Sequence, residues 1–247
     1  MIRALAHRFS RGVVLKRHLP REFGHAPIFV SPEAALTFWK PNLGRADPYL
    51  LSMVRELVRA GMEVWDIGAN VGLFSFAAAA LGARVLSVEA DIWLAALLQR
   101  SVRLNRLPVT VLHVAISEAT GFAPLYLSDN GRASNSLSGQ GTSQTVATAT
   151  LDSLLGHFPT PQLVKMDVEG TEYVALRGAA ELLRRRPTIL CEVTQHHDAV
   201  GTLLRDAGYT LYGALSQAKD RQPLLKRPSI ETLAIPTALT AGEDGKP

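Results

Sequence analysis

The sequence predicts an α/β fold built on a doubly wound, mostly parallel sheet that closes with an antiparallel strand pair near the C-terminus. Three observations carry this expectation. The stretch Val64-Trp65-Asp66-Ile67-Gly68-Ala69-Asn70-Val71-Gly72-Leu73-Phe74 joins an apolar run to an apolar helix through a glycine turn. Short apolar runs then alternate with segments of helical spacing, a pattern that implies right-handed crossovers and parallel strands. Each run also ends in a polar residue: Asp66, Glu89, Ser117, Asp167 and Glu192. Open sheets of this kind bind ligands at the carboxyl ends of their strands, so these residues are the ones to examine.

Taken in order, Arg3, Arg8, Arg11, Lys16, Arg17 and Arg21 lie between short apolar patches, and Met1 to Leu19 reads as a basic amphipathic helix. Such a helix suits a cap on the core, contact with a partner or weak peripheral contact with an anionic membrane. Pro27, Pro32, Pro41 and Pro48 break the next segment into extended pieces. Asp47-Pro48 starts a helix with Leu50, Leu51, Val54, Leu57 and Val58 at helical spacing. Val64–Ile67 is the first strand of the alternation, and Leu73, Phe76, Ala77 and Ala80 mark its helix. Arg84–Val88 and Val109–Val114 are the next strands, the latter ending at Ala115-Ile116-Ser117, with a helix between them to about Asn105. Two strands, Phe122–Leu127 and Thr145–Thr150, flank a polar loop that contains Asn130, Asn135 and Ser136, a candidate substrate loop. Strands Leu163–Met166 and Thr188–Cys191 follow, each with a helix behind it, and Tyr209–Leu215 with Glu231–Ile235 forms the closing pair. The chain thus divides into a basic extension over 1–46, one α/β domain over 47–239 and a flexible polar tail over 240–247.

At 247 residues the chain suits one α/β domain with extensions and is short for two. Apolar residues make up 47%, enough for a sizeable core. A single cysteine, Cys191, excludes an intramolecular disulfide and fits a reducing compartment. No apolar run reaches the ~18 residues of a membrane span, and no continuous apolar segment marks a signal peptide. A cytoplasmic location is expected. The net charge of +4 is a weak sign of a nucleic-acid partner. No Asp/Asn-Pro-Pro-aromatic stretch and no aromatic-rich basic face strengthen it, so none is expected. A nucleic-acid-modifying enzyme and a non-catalytic module that kept the fold remain the alternatives.

The glycine turn has neither the G-x-G-x-x-G spacing nor the P-loop lysine, which disfavours a diphosphate and, with it, NAD-dependent oxidoreduction. An acid in the loop, Asp66, instead suits a zwitterionic ligand. The D-x-G-x-N-x-G pattern resembles the first motif of class I S-adenosylmethionine-dependent methyltransferases, which have a Rossmann-like fold. Glu89, about 20 residues beyond the turn, is placed to accept from ribose hydroxyls. The resulting cofactor set is Asp66, Gly68, Asn70, Gly72 and Glu89, with Ile116 and Ser117 bordering the adenine.

A narrower resemblance follows from Asp66–Gly72 together with Thr150-Leu151-Asp152-Ser153-Leu154, Lys165-Met166-Asp167-Val168-Glu169-Gly170-Thr171-Glu172 and Leu190-Cys191-Glu192. In this order they resemble the FkbM family, over about residues 47 to 215. That resemblance implies O-methylation of a small molecule, natural product or saccharide. An aliphatic hydroxyl must lose its proton as it attacks, which calls for a general base or a metal. Asp167, Glu192 and His196 are the candidates. Asp167 and Glu192 end adjacent strands, as base and orienter or as joint ligands of Mg²⁺. His196-His197-Asp198 reads either as an imidazole base or as a helix start capped by Asp198.

Overall fold

The computed structural model describes residues 9–128, 131–214 and 227–237. Strands β1 (Leu15–His18) and β2 (Pro27–Val30) precede helix α1 (Pro48–Leu57). The alternation then runs β3 (Glu63–Ile67), α2 (Leu73–Ala80), β4 (Arg84–Glu89), α3 (Ile92–Leu104) and β5 (Val109–His113). Three further strands interrupt it: β6 (Ala115–Ile116), β7 (Gly121–Tyr126) and β8 (Ser143–Ala149). It resumes with α4 (Leu151–Leu154), β9 (Leu163–Met166), α5 (Glu172–Arg177), α6 (Ala180–Arg184), β10 (Thr188–Glu192) and α7 (His197–Asp206). Strands β11 (Tyr209–Gly213) and β12 (Glu231–Pro236) complete it.

The main sheet has the order β11-β12-β10-β9-β3-β4-β5. Strands β10, β9, β3, β4 and β5 are mutually parallel, and β12 runs antiparallel to both β10 and β11. The chain leaves β3 in one direction and returns through β9 on its other side, so the switch in strand order falls between them. Side chains alternate across the sheet with the period of two that strands impose. Val64, Leu163 and Leu190 enter one core with α1, α2 and α3, whereas Trp65, Val164 and Cys191 enter the other with α4 to α7. On the first of these faces the pattern also places Asp66, Lys165, Asp167, Glu192 and Glu231, all toward the carboxyl edge.

Two expectations are corrected. Residues 15–18 are strand rather than helix, paired with β2 from Leu15–Val30 to His18–Pro27. Their burial alternates residue by residue, and Phe23, Ile28, Val30 and Leu43 are fully buried in the same core as α1 to α3. Burial of this apolar set outweighs the helical spacing of the basic residues. Residues 1–8 and the expected tail at 240–247 lie outside the described residues. The third strand of the alternation, expected over Val109–Val114 with Ala115-Ile116-Ser117 at its end, stops at His113. Ala115 and Ile116 turn away to pair with Thr148 and Ala149 in a separate sheet of order β6-β8-β7. The start of α1 is as expected, with the Asp47 carboxylate accepting the Leu50 N–H at 2.8 Å.

Candidate active site

The loop after β3 is held on both sides. Gly68 and Ala69 donate their N–H groups to the Val88 carbonyl at 2.9 and 3.0 Å. Gly68 has φ +76°, and a Cβ there would overlap the carbonyl oxygen of Asp167, so glycine is required where β3 and β9 close together. Gly72, with φ +86°, has no room for a Cβ because the Leu98 and Phe76 side chains fill the space. It serves the packing of α2 against α3 and does not line the cleft. Asn70 donates its N–H to Glu89 Oε2 at 2.7 Å, and Asp91 donates its own to Oε1 at 2.8 Å. Burial pushes the Glu89 carboxyl up to about 7, against the pull of those two N–H groups toward the ionised form.

These residues wall a cleft with about 630 Å³ of empty space at the switch point. Gly68, Asn70, Glu89 and Asp167 supply its polar lining, and Val88, Leu94 and Ile116 supply apolar surface. Ser117 is not part of this lining; its N–H donates to Ala149. The segment 131–137 covers the cleft. Asn135 donates to Asp91 Oδ2 at 2.7 Å and Ser136 to the Glu169 carbonyl at 2.8 Å, whereas Asn130 lies outside the described residues. Arg132 ties this cover down. It reaches Glu33 and Asp91, each at 2.7 Å, and lies over the Trp93 ring, while the Arg132 and Ala133 N–H groups donate to the Glu33 and Ala34 carbonyls. The N-terminal segment therefore holds the cover of the cleft. Replacing Arg132 with alanine is expected to cost about 1–2 kcal/mol and to speed proteolysis within 128–140. Unchanged stability and cleavage rates would remove Arg132 from this role.

A second, acid-lined pocket adjoins the cleft across Asp167, which lines both. It lies between α1 and the edge of the sheet, where Asp47, Tyr49, Lys165, Glu192 and Glu231 surround it. The Lys165 ammonium stands 3.4 Å from Asp66, 3.5 Å from Asp167 and 3.1 Å from the Gly68 carbonyl, to which it donates. Burial alone would lower its pKa, but Asp66 and Asp167 outweigh that and hold it above its ordinary value. Burial, then the neighbouring Asp167 and Glu231, pushes Glu192 up to about 7. Burial and the Asp167 and Glu192 charges push Glu169 up to about 8.

Asp66 sits below the loop, fully buried, and accepts from Ser75 Oγ at 2.6 Å. It faces Lys165 rather than the cleft, so its charge is met within the protein. His196 is exposed with its ring 5.9 Å from Tyr173, outside both pockets. It is itself the residue that precedes α7, with φ +52°, and Asp198 falls within the first turn instead of capping it. Among the described residues no group of three or more His, Cys, Asp or Glu side chains is arranged to hold a metal. Lys165 already supplies the positive charge beside Asp167. Sequence reasoning missed Lys165 and Arg132 as site residues. A lysine inside a four-residue buried strand signals a partner, whereas nothing local to Arg132 foretold its contacts.

With this geometry in place, the comparisons with known proteins are specific about the family. Residues 66–211 match the family model described as the methyltransferase FkbM domain. The hexuronic acid methyltransferase AglP of Haloferax volcanii is 27% identical over 185 residues, 69% of this chain and 71% of that protein. Among solved structures, methyltransferase FkbM from Methylobacillus flagellatus overlays with a TM-score of 0.45 at 17% identity, covering 75% of this chain and 50% of the other. The Pyrococcus abyssi tRNA (uracil-54, C5)-methyltransferase overlays with a TM-score of 0.49 at 12% identity, covering 90% and 43%. Among the described residues no helix is long and apolar enough to cross a membrane.

Proposed function

The chain belongs to the FkbM methyltransferase family, and from that premise we propose that it transfers a methyl group from S-adenosylmethionine to a hydroxyl of a saccharide or similar small molecule. The observation that carries this reading is the adjacency of the two pockets, with Asp167 in the wall of each. The donor set of the cleft suits this cofactor. Glu89 has lone pairs left to accept from ribose hydroxyls, apolar walls suit an adenine, and Asp167 and Glu169 suit a cationic sulfonium. When bound, that cofactor supplies an electrophilic methyl group.

The chain's own residues do the rest. The cover over 131–137 excludes water from the cleft. Lys165 fixes the position of Asp167. Glu192 takes the proton from the acceptor hydroxyl, and its raised pKa places it near neutral pH, where a general base is most effective. Because the ionised carboxylate is the active form, the rate is expected to rise with pH and level off above about 7. A rate independent of pH between 5.5 and 8, values on the order of one unit either side of neutral, would remove Glu192 from this role. Asp47, Asp167, Glu192 and Glu231 against the one ammonium of Lys165 repel anions. The acceptor is therefore a neutral or amine-bearing saccharide hydroxyl, unlike the hexuronic acid in the name of the archaeal relative. Incubation with the cofactor and a panel of neutral, amino and uronic saccharides, read by mass spectrometry, tests both parts. Methylation confined to uronic acids would overturn the acceptor assignment, and methylation of none would overturn the proposed reaction.

A further inference from the structure

The N-terminal hairpin and the C-terminal half of α3 form one strongly basic flank. In the described part of the first 46 residues, Arg11, Lys16, Arg17, Arg21, Lys40 and Arg45 face two acids, Glu22 and Glu33. Both acids are occupied elsewhere: Glu22 pairs with Arg55 and Glu33 with Arg132. Strand β2 lies along α3, with Phe29 N–H donating to Ser101 at 2.8 Å and Asn105 donating to the Pro27 carbonyl at 2.7 Å. This contact brings Arg100, whose guanidinium lies 4.2 Å from the centre of the Phe29 ring, beside Lys16, the register partner of Phe29. Arg103 and Arg106 extend the same end of α3, and the sequence has no acid between Asp91 and Glu118. Among the described residues none of Lys16, Arg21, Arg100, Arg103 or Arg106 forms an ion pair.

We propose that this flank docks the protein on an anionic lipid bilayer. The charge is complementary to such a surface, and the residues between the cations choose it over a nucleic acid. Trp39 is 47% exposed next to Lys40, whose carbonyl accepts from Arg17, and Leu104 is 40% exposed between Arg103 and Arg106. The boundary between headgroups and acyl chains accepts an indole and an aliphatic side chain among cations. A phosphate backbone offers Leu104 nothing. An open groove along Lys16, His18, Arg21, His25 and Pro41 gives room for headgroups beside the hairpin. From this flank the chain runs on past β2 to Glu33, which holds the cover of the active cleft through Arg132. The docked surface and the cleft therefore share one segment.

The test is flotation of the full chain with phosphatidylcholine vesicles, with and without phosphatidylglycerol, at low and high salt. Binding is expected only with phosphatidylglycerol and is expected to fall as salt rises. Each cation near the surface contributes about fivefold in affinity, so the Lys16→Gln, Arg100→Gln, Arg103→Gln triple variant should lose on the order of 100-fold. Trp39→Ala tests the apolar part separately and should also weaken binding. All three cations are exposed, and a thermal melt that matches wild type excludes misfolding as the cause. The proposal is overturned if neutral vesicles bind equally, or if the triple variant binds as wild type does. Retention on single-stranded RNA without vesicle binding would also overturn it.

Discussion

Replacing Lys165 with methionine is expected to destabilise the fold by about 3–5 kcal/mol, the cost of leaving a buried charge without its partner. Asp66 is fully buried and would keep only the Ser75 hydroxyl. The Gly68 carbonyl would lose its donor as well, so the loop that walls the cleft would loosen with the core beneath it. The Asp66→Asn, Lys165→Met double variant should recover much of the loss, because it leaves no uncompensated charge. Urea denaturation of the three proteins measures the effect. A single variant within about 1 kcal/mol of wild type would mean that Lys165 is not the partner that Asp66 requires.

Glu192→Gln is expected to lower kcat by about 10²- to 10⁴-fold, the usual range for removal of a general base. Cofactor affinity should stay intact, since Glu192 lines the acid pocket and not the cleft. Asp167→Asn should affect both quantities, because Asp167 lines both. His196→Ala should leave kcat close to wild type, as its ring lies beside Tyr173 outside the two pockets. If His196→Ala abolished turnover while Glu192→Gln did not, the base would be the imidazole.

Much of this arrangement was legible in the sequence because it rests on local patterns. The strand-turn-helix at Val64–Phe74, the acid ending β4 and the Asp47-Pro48 helix start each follow from short-range rules. The alternation of strands and helices also foretold that Asp167 and Glu192 follow adjacent strands, as the pairing of β9 with β10 has it. What escaped depends on contacts between distant segments. Asp66 reads as a ligand group until Lys165, 99 positions later by the numbering, is seen to face it from the neighbouring strand. Gly68 and Gly72 read as places where a ligand approaches, but their space is limited by Asp167 and Leu98. The helix expected over Met1–Leu19 gave way at 15–18 to a strand because β2 offers a partner and the core takes Ile28 and Val30. The bond between Arg132 and Glu33 spans 99 positions, and no spacing rule reaches that far.

The most direct test is a calorimetric titration of wild type and Glu89→Gln with S-adenosylhomocysteine. Loss of charge-assisted hydrogen bonds at Glu89 should weaken binding by roughly 10- to 100-fold, with a modest fall in melting temperature because the amide nitrogen cannot accept from the Asn70 or Asp91 N–H. That fall is partly offset by removing a buried carboxyl whose folded pKa of about 7 exceeds the ordinary 4.5, so that ionising it costs stability as pH climbs through that range. Equal affinity in the two proteins, or no binding by wild type, would contradict the assignment of this cleft to the methyl donor.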